Sequence, residues 1–476
     1  MGSSRQGPSK KAVKAAQGRG SSKSDQKKAP RGGNTQGKQR LQDESYGNQV
    51  DIPATIPLTL QQLLLNVFKS ALLTQRVPSS RADISAAGSE ATSANLAHAR
   101  EATERNQLDI KGLIQTIKSH LYNRDFDSAF TDADEDLLRA YALRWSSSRA
   151  LGYVGIFRAL LKVLLKPVTQ AATSSQAAED SHVVCIGGGA GAEIIALAAA
   201  WRDWTDAVNG NEQQPTSSGE QTALADAVEG LSLQEGEEGS SGPEHTVEGQ
   251  AASKPRHKLS VTAIDIADWS SIVDRLVSTI QSPAVTGSNS HPAPLYGDAG
   301  LMSPAAPRGS APSFQVGFQR LDVLSASEDE LRRLLRPSQE KQGAPNTVMV
   351  TLMFTLNELF STSMAKATGF LLRLTDMLQP GAVLLVVDSP GSYSTLKLGK
   401  TTATGTATET SERQYPMKFL LDHALLSVAA GKWDRLFSQD SRWWRRDAAR
   451  LRYEVGEGAG LEDMRFQVHI YRRLAD

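Results

Sequence analysis

Five consecutive residues, Gly187-Gly188-Gly189-Ala190-Gly191, join the apolar run Val183-Val184-Cys185-Ile186 to a helical pattern beginning at Ala192. A turn with almost no side chains lets a ligand or another backbone come close, and the following helix offers it unpaired N–H groups. Gly-x-Gly-x-Gly is not a clean dinucleotide fingerprint, and no Lys-Ser/Thr pair follows to grip a phosphate. Glu193 stands in the first helical turn, where a carboxylate suits the helix dipole, repels a pyrophosphate and attracts a cation. Two further acids, Asp265 and Asp322, end later strand patterns. Asp265 is placed to accept ribose hydroxyls, and Asp322 to accept from an adenine amino group. Either acid alone could be a helix cap, and the glycine turn alone could be purely structural. In combination they suit an adenosyl ligand with ammonium and sulfonium charges, S-adenosylmethionine, better than NAD. Gly187, Gly188, Gly189, Gly191 and Glu193 are therefore candidates for its methionine end, Asp265 for its ribose and Asp322 for its adenine. Thr355, closing the fourth strand pattern, is a further cofactor candidate.

These residues need a sheet to hold them, and strands and helices alternate on both sides of the turn. SHVVCIG, KLSVTAID, FQVGFQRLD, TVMVTLMFT and AVLLVVDSP read as five strands, with helical patterns after the first four. Buried, β-branched strands in such alternation predict a Rossmann-like α/β fold, its mostly parallel sheet covered by helices on both faces. LRYE and FQVHIYRRL, joined through a Gly-rich link, suit an antiparallel hairpin at the C-terminal edge. Residues 57–170 read as an N-terminal helical region, with patterns over LTLQQLLLNVFKSALL, about 100–122, and Asp134 to Val168 with a break near Ser146. The sheet domain then covers 182–476. Two stretches interrupt it, about 205–257 and 283–312, and their Gly, Ser, Gln, Glu and Pro content predicts disordered insertions.

Formal net charge is zero, but the charge is unevenly spread: Met1 to Leu41 holds eleven Lys or Arg and one acid, Asp25. Residues 1–50 therefore read as a disordered basic tail, either solubilising or a nuclear address that touches RNA. From Asp203 to Ala252 there are eleven acids and no Lys or Arg. The single cysteine, Cys185, excludes an internal disulfide and a Cys-based zinc cluster. His120, His423 and His469 lack ligand-like spacing, so no metal site is expected. No apolar run approaches the roughly 20 residues that span a bilayer. The expectation is a soluble intracellular protein, in the nucleus or nucleolus or else the cytoplasm, with no membrane partner. Its oligomeric state is open, a monomer being the simplest case.

VVCIGGGAGAEIIAL, RWSSSRALGY (144–153), TLMFTLNELF (351–360), DSRWWRR and LEDMRFQVHIYRR together resemble the fungal large-subunit (25S) ribosomal RNA uridine-N3 methyltransferases. The resemblance spans about 57–203, 258–282 and 313–473. It implies a class I methyltransferase fold, S-adenosylmethionine as donor, and one uridine of ribosomal RNA, within a pre-ribosomal particle, as acceptor. N3 of uracil carries a proton that must leave before attack, so a general base or an anion-stabilising site is expected. The segment after the fourth strand offers Asn357 to hold a uracil carbonyl, Glu358 to take the proton, and Phe354 or Phe360 to stack on the base. Alternatively Thr355 or Asn357 caps the helix and Glu358 supports its first turn. The segment lacks the Asn/Asp-Pro-Pro-aromatic pattern of amino-nitrogen methyltransferases. Reading an N3 edge requires an unpaired base, hence cations and aromatic faces. Arg144, Trp145 and Arg149, and Arg442, Trp443, Arg445 and Arg446, are the RNA-contact candidates. Methylation of another RNA, a protein or a small molecule, or an inactive RNA-binding assembly factor on this fold, are the alternatives.

Overall fold

The computed structural model describes residues 50, 52, 55–73, 108–165, 180–211, 258–296, 313–336, 346–391, 393–399 and 410–476. Strand β1 (Asp180–Ile186) is buried on both faces from Ser181 onward, as its unbroken apolar run requires of a central parallel strand. It pairs in parallel with β2 (Lys258–Asp265) on one side and β4 (Asn346–Met353) on the other. β3 (Ser313–Arg320) adds in parallel to β2, and β5 (Val383–Asp388) to β4. The seven-stranded order is β3-β2-β1-β4-β5-β9-β8. Strand order reverses between β1 and β4, and the crevice beyond the carboxyl ends there is where such sheets bind ligands.

Alternation along β1 sends Val183 and Cys185 to one core and Val184 and Ile186 to the other. The first core receives α1 (Leu58–Leu73), α2 (Ile110–Tyr122), α3 (Glu135–Tyr141), α4 (Ser147–Leu164), α5 (Ala192–Asn211) and α6 (Ser270–Ile280). In α1, Leu60, Leu64, Val67, Phe68, Ala71 and Leu72 repeat at helical spacing and are all buried. The second core receives α7 (Glu328–Leu335), α8 (Leu356–Thr362), α9 (Met364–Met377) and α10 (Met417–Asp422). His182 on β1 ties three strands, one ring nitrogen bonding Thr347 Oγ1 at 2.8 Å and the other Thr262 Oγ1 at 2.9 Å. Burial lowers its pKa to about 4, so this ring is neutral.

The expected break near Ser146 is a widened turn, Ala142–Ser146, of π-helical geometry between α3 and α4. Insertions of this kind often sit at functional sites. The loop reading of 283–312 changes where the structure describes it. Leu295 is fully buried, Tyr296 packs on Phe314 with ring centroids 5.7 Å apart, and Asn66 donates to Thr286 O. α5 likewise runs on to Asn211, past the expected start of the first insertion. The remainder of both insertions, and the tail to residue 49, lie outside the described residues.

The C-terminal hairpin was expected from LRYE and FQVHIYRRL. The second segment is strand β9 (Met464–Arg473), antiparallel to β5, but its hairpin partner is β8 (Trp433–Trp444). Leu451, Tyr453 and Val455 alternate as a strand would, yet they pack toward the helices. Tyr453 Oη donates to Leu143 O, and the Arg452 backbone exchanges hydrogen bonds with the Gln62 side chain instead of a strand. A separate two-stranded ribbon, β6 (Tyr393–Gly399) with β7 (Thr410–Pro416), had no sequence expectation.

Candidate active site

The glycine turn closes over the carboxyl end of β1. Gly187 N donates to Ile264 O at 2.7 Å and holds φ at 76°, a left-handed conformation that glycine adopts without strain. A Cβ there would run into the Thr355 side chain, and one at Gly189 would run into the Trp269 ring and lie 2.9 Å from Asp265 Oδ2. The protein's own side chains thus fill the space these glycines vacate. Thr355 Oγ1 donates to Ile186 O at 3.1 Å, locking the end of β4 to the end of β1 rather than capping α8.

Asp265, at the end of β2, faces the turn. Its Oδ2 accepts from Gly189 N at 3.2 Å and its Oδ1 from Ala267 N at 3.3 Å. Burial nevertheless raises its pKa to about 6. Glu193, in the first turn of α5, is 3% exposed, and burial raises its pKa to about 8 despite the Arg149 cation nearby. Asp322, after β3, accepts from Leu324 N and Ser325 Oγ at 2.9 and 2.8 Å. It therefore shapes its own turn while remaining only partly buried.

Beyond β4, Phe354 takes φ 58°, a strained value for a bulky residue and one that often marks a functional turn. Arg149 of α4 lies over its ring, Cζ 4.8 Å from the centroid, and Tyr153 stacks beside it at 6.5 Å. Asn357 N donates to Asp388 Oδ2 at 3.1 Å, while Asn357 Oδ1 and Tyr153 Oη are buried without a hydrogen-bond partner. Glu358 is exposed as a residue, yet the desolvation of its carboxyl group and then the Asp388 carboxylate raise its pKa, and Arg124 opposes them. Phe360 is 2% exposed in the second core and so is closed to a substrate, which leaves Phe354 as the aromatic candidate.

The structure thus gathers the glycine turn, Glu193, Asp265, Phe354, Thr355, Asn357 and Glu358 along one edge of the sheet. Arg149 joins them, hydrogen-bonded to Tyr141 Oη at 2.8 Å, although its sequence context suggested RNA. Trp145 packs on Tyr141 at 4.9 Å. Arg144 is buried and donates to Gly460 O and Glu462, a structural role that leaves little of it for RNA. Because β8 runs parallel to β5, its end overhangs the same edge, carrying Arg442 through Arg446. Trp443 is half-exposed beneath Arg445, whose Cζ lies 3.9 Å from the ring. Arg445 also pairs with Asp463, and Arg446 donates to Leu461 O. Gly152, Gly155, Arg442, Trp444, Arg445 and Phe466 border a groove of about 500 Å³ between α4 and this end of β8. Sequence reasoning missed Tyr153, Trp269 and Asp388. Only Asp388, closing the apolar run of β5, carried a signal that strand-end acids deserved extending.

A family model for SAM-dependent methyltransferases matches residues 95–472. The chain belongs to this family. Methyl transfer from S-adenosylmethionine is accordingly its chemistry. A methyltransferase of Saccharomyces cerevisiae, "25S rRNA (uridine(2843)-N(3))-methyltransferase", is 30% identical over 369 residues, 75% of this chain and 76% of that one. Among solved structures, an O-methyltransferase family protein from Burkholderia thailandensis aligns at 12% identity, over 77% of this chain and 71% of that one, with a TM-score of 0.29. At that score the strand order itself carries the fold. The methyltransferase site fits its donor: the buried Glu193 and the partly buried Asp265 have raised pKa values and form no ion pair with a described residue, and S-adenosylmethionine brings an ammonium and a sulfonium. Among the described residues no cluster of metal-ligating side chains and no helix able to cross a membrane is found.

Proposed function

We propose that this methyltransferase transfers a methyl group to N3 of a uridine in large-subunit ribosomal RNA. The observation that carries the reading is the identity to the yeast uridine-N3 enzyme across three quarters of both chains. The donor, when bound, supplies an electrophilic methyl group on its sulfonium. Glu193 pairs with the ammonium at its methionine end, where Gly187, Gly188, Gly189, Gly191 and Thr355 shape the turn. Asp265 accepts the ribose hydroxyls and Asp322 the adenine amino group.

On the acceptor side, the buried Asn357 Oδ1 lacks a hydrogen-bond donor, and a uracil edge offers one in its N3–H beside a carbonyl for the amide nitrogen. Glu358 stands one residue on, in the same helical turn. Its raised pKa brings it closer to neutrality, where a carboxylate is a better base for the N3 proton. Phe354 holds the ring plane, and the strained backbone there fixes its direction. An N3 edge is accessible only when unpaired, so the substrate is an RNA segment before final folding, in a pre-ribosomal particle. Trp443, Arg442, Arg445 and Arg446, on the overhanging end of β8, receive the neighbouring nucleotides. The basic tail suits such a particle and a nucleolar site, and one chain supplies every residue this chemistry uses.

The test is direct. Deleting the gene should remove one N3-methyluridine from large-subunit ribosomal RNA, read by mass spectrometry of digested RNA. An unchanged signal rejects the uridine reading and leaves the methyltransferase without an acceptor.

A further inference from the structure

A buried acid, Glu193, and a partly buried cation, Arg149, meet where α4 packs beside the carboxyl edge of the sheet, and neither forms an ion pair with a described residue. Arg149 donates to Tyr141 Oη and lies over the Phe354 ring. Glu193 lies beneath the glycine turn at 3% exposure. Among the described residues, no carboxylate forms an ion pair with Arg149 and no cation forms one with Glu193. Tyr153, one helical turn beyond Arg149 and 1% exposed, has a hydroxyl with no partner. Groups in such surroundings are costly to hold charged until something pairs them.

Strand order says which part of the donor lies there. Asp265 ends β2, on one side of β1, and is the ribose candidate; Phe354 follows β4, on the other side. A ligand whose adenosine lies toward β2 and β3 places its amino-acid end over β1 and β4. That end is a zwitterion, with one carboxylate and one ammonium. We propose that Arg149 and Glu193 together clamp it, the guanidinium and the Tyr153 hydroxyl donating to the carboxylate while Glu193 accepts from the ammonium. The helical layer ahead of the sheet then belongs to the donor site, and a bound donor ties α4 to the glycine turn. This inference rests on the family's donor and not on the uridine acceptor, so titrations without RNA separate the two.

The experiment is calorimetric titration of the full chain with S-adenosylhomocysteine and with 5′-methylthioadenosine, which keeps the adenosine and lacks the amino-acid end. Wild-type protein should bind the first much more tightly. Arg149→Met should weaken S-adenosylhomocysteine about 10- to 100-fold, the size of a charged hydrogen-bonded contact, and leave 5′-methylthioadenosine within about twofold. Arg149→Lys should recover part of the loss, and Tyr153→Phe should cost a smaller factor. Decarboxylated S-adenosylhomocysteine, used on wild-type protein, tests the same contact without a mutation and should bind about tenfold or more weakly. Equal wild-type affinity for the decarboxylated ligand, or an unchanged S-adenosylhomocysteine affinity in folded Arg149→Met, overturns the clamp. If the latter variant also loses RNA methylation, Arg149 acts on the acceptor instead.

Discussion

Glu193→Gln separates the charge of this buried acid from its shape. In the native protein its pKa is about 8, against 4.5 for an exposed glutamate. Between those values the folded protein keeps a proton that the unfolded chain has released. The stability this group confers is therefore complete below pH 4.5 and is lost as pH rises through 8. The slope is about 1.4 kcal/mol per pH unit, the free-energy equivalent of one unit. Asp265 contributes a slope of the same sign, but only up to about pH 6. From pH 6.5 to 7.5 the ligand-free wild type should thus lose about 1.4 kcal/mol relative to Glu193→Gln, read by urea unfolding of both proteins at each pH. Bound donor reverses the sign, because pairing with an ammonium favours the carboxylate. Wild-type affinity for S-adenosylhomocysteine should rise up to about tenfold over that unit, with proton release seen as a buffer-dependent binding enthalpy. The variant should bind about 10- to 100-fold more weakly at pH 8 and show no such rise. Parallel stability curves for the two proteins, or equal pH dependence of affinity, would refute the argument that Glu193 is held protonated by burial and released by the ligand.

Three further outcomes follow from the same geometry. Gly189→Val forces a side chain into the Trp269 ring and against Asp265, so it should lower stability by about 1–3 kcal/mol and weaken donor binding; an unchanged melting temperature and affinity would show that this contact yields freely. Glu358→Gln should reduce methyl transfer about 100- to 10,000-fold with donor affinity retained, and full activity at every pH would move the proton to water or another group. Trp443→Ala should weaken binding of a single-stranded RNA about 5- to 100-fold with donor affinity unchanged, whereas equal RNA affinity would take the end of β8 off the substrate path.

The strand-turn-helix around Gly187 was legible because every signal in it is local: an apolar run, glycines at a tight turn, an acid in the first helical turn. The parallel alternation followed from the same kind of signal, repeated. LRYE misled because Leu451, Tyr453 and Val455 carry the period of a strand, while the partner that satisfies the Arg452 backbone is a glutamine side chain some 390 positions away in the chain. No window of sequence contains that contact. The loop over 283–296 misled for the opposite reason: its composition is that of a free loop, and contacts with α1, α5, α6 and β3 order it.

The sequence by itself determined the fold class, the strand ends along the carboxyl edge of the sheet and the acids that stand there. What those acids do was decided by tertiary structure, because a carboxylate's charge depends on the dielectric and the counter-ions around it. Glu193 sits in the first turn of a helix in sequence and structure alike; only its burial, away from any contact cation, turns it into an acid that holds its proton near neutral pH. Arg149 shows the same division. Its neighbours in sequence suggested a hand for RNA, and the packing of α4 against α5 and over Phe354 places it beside the glycine turn instead.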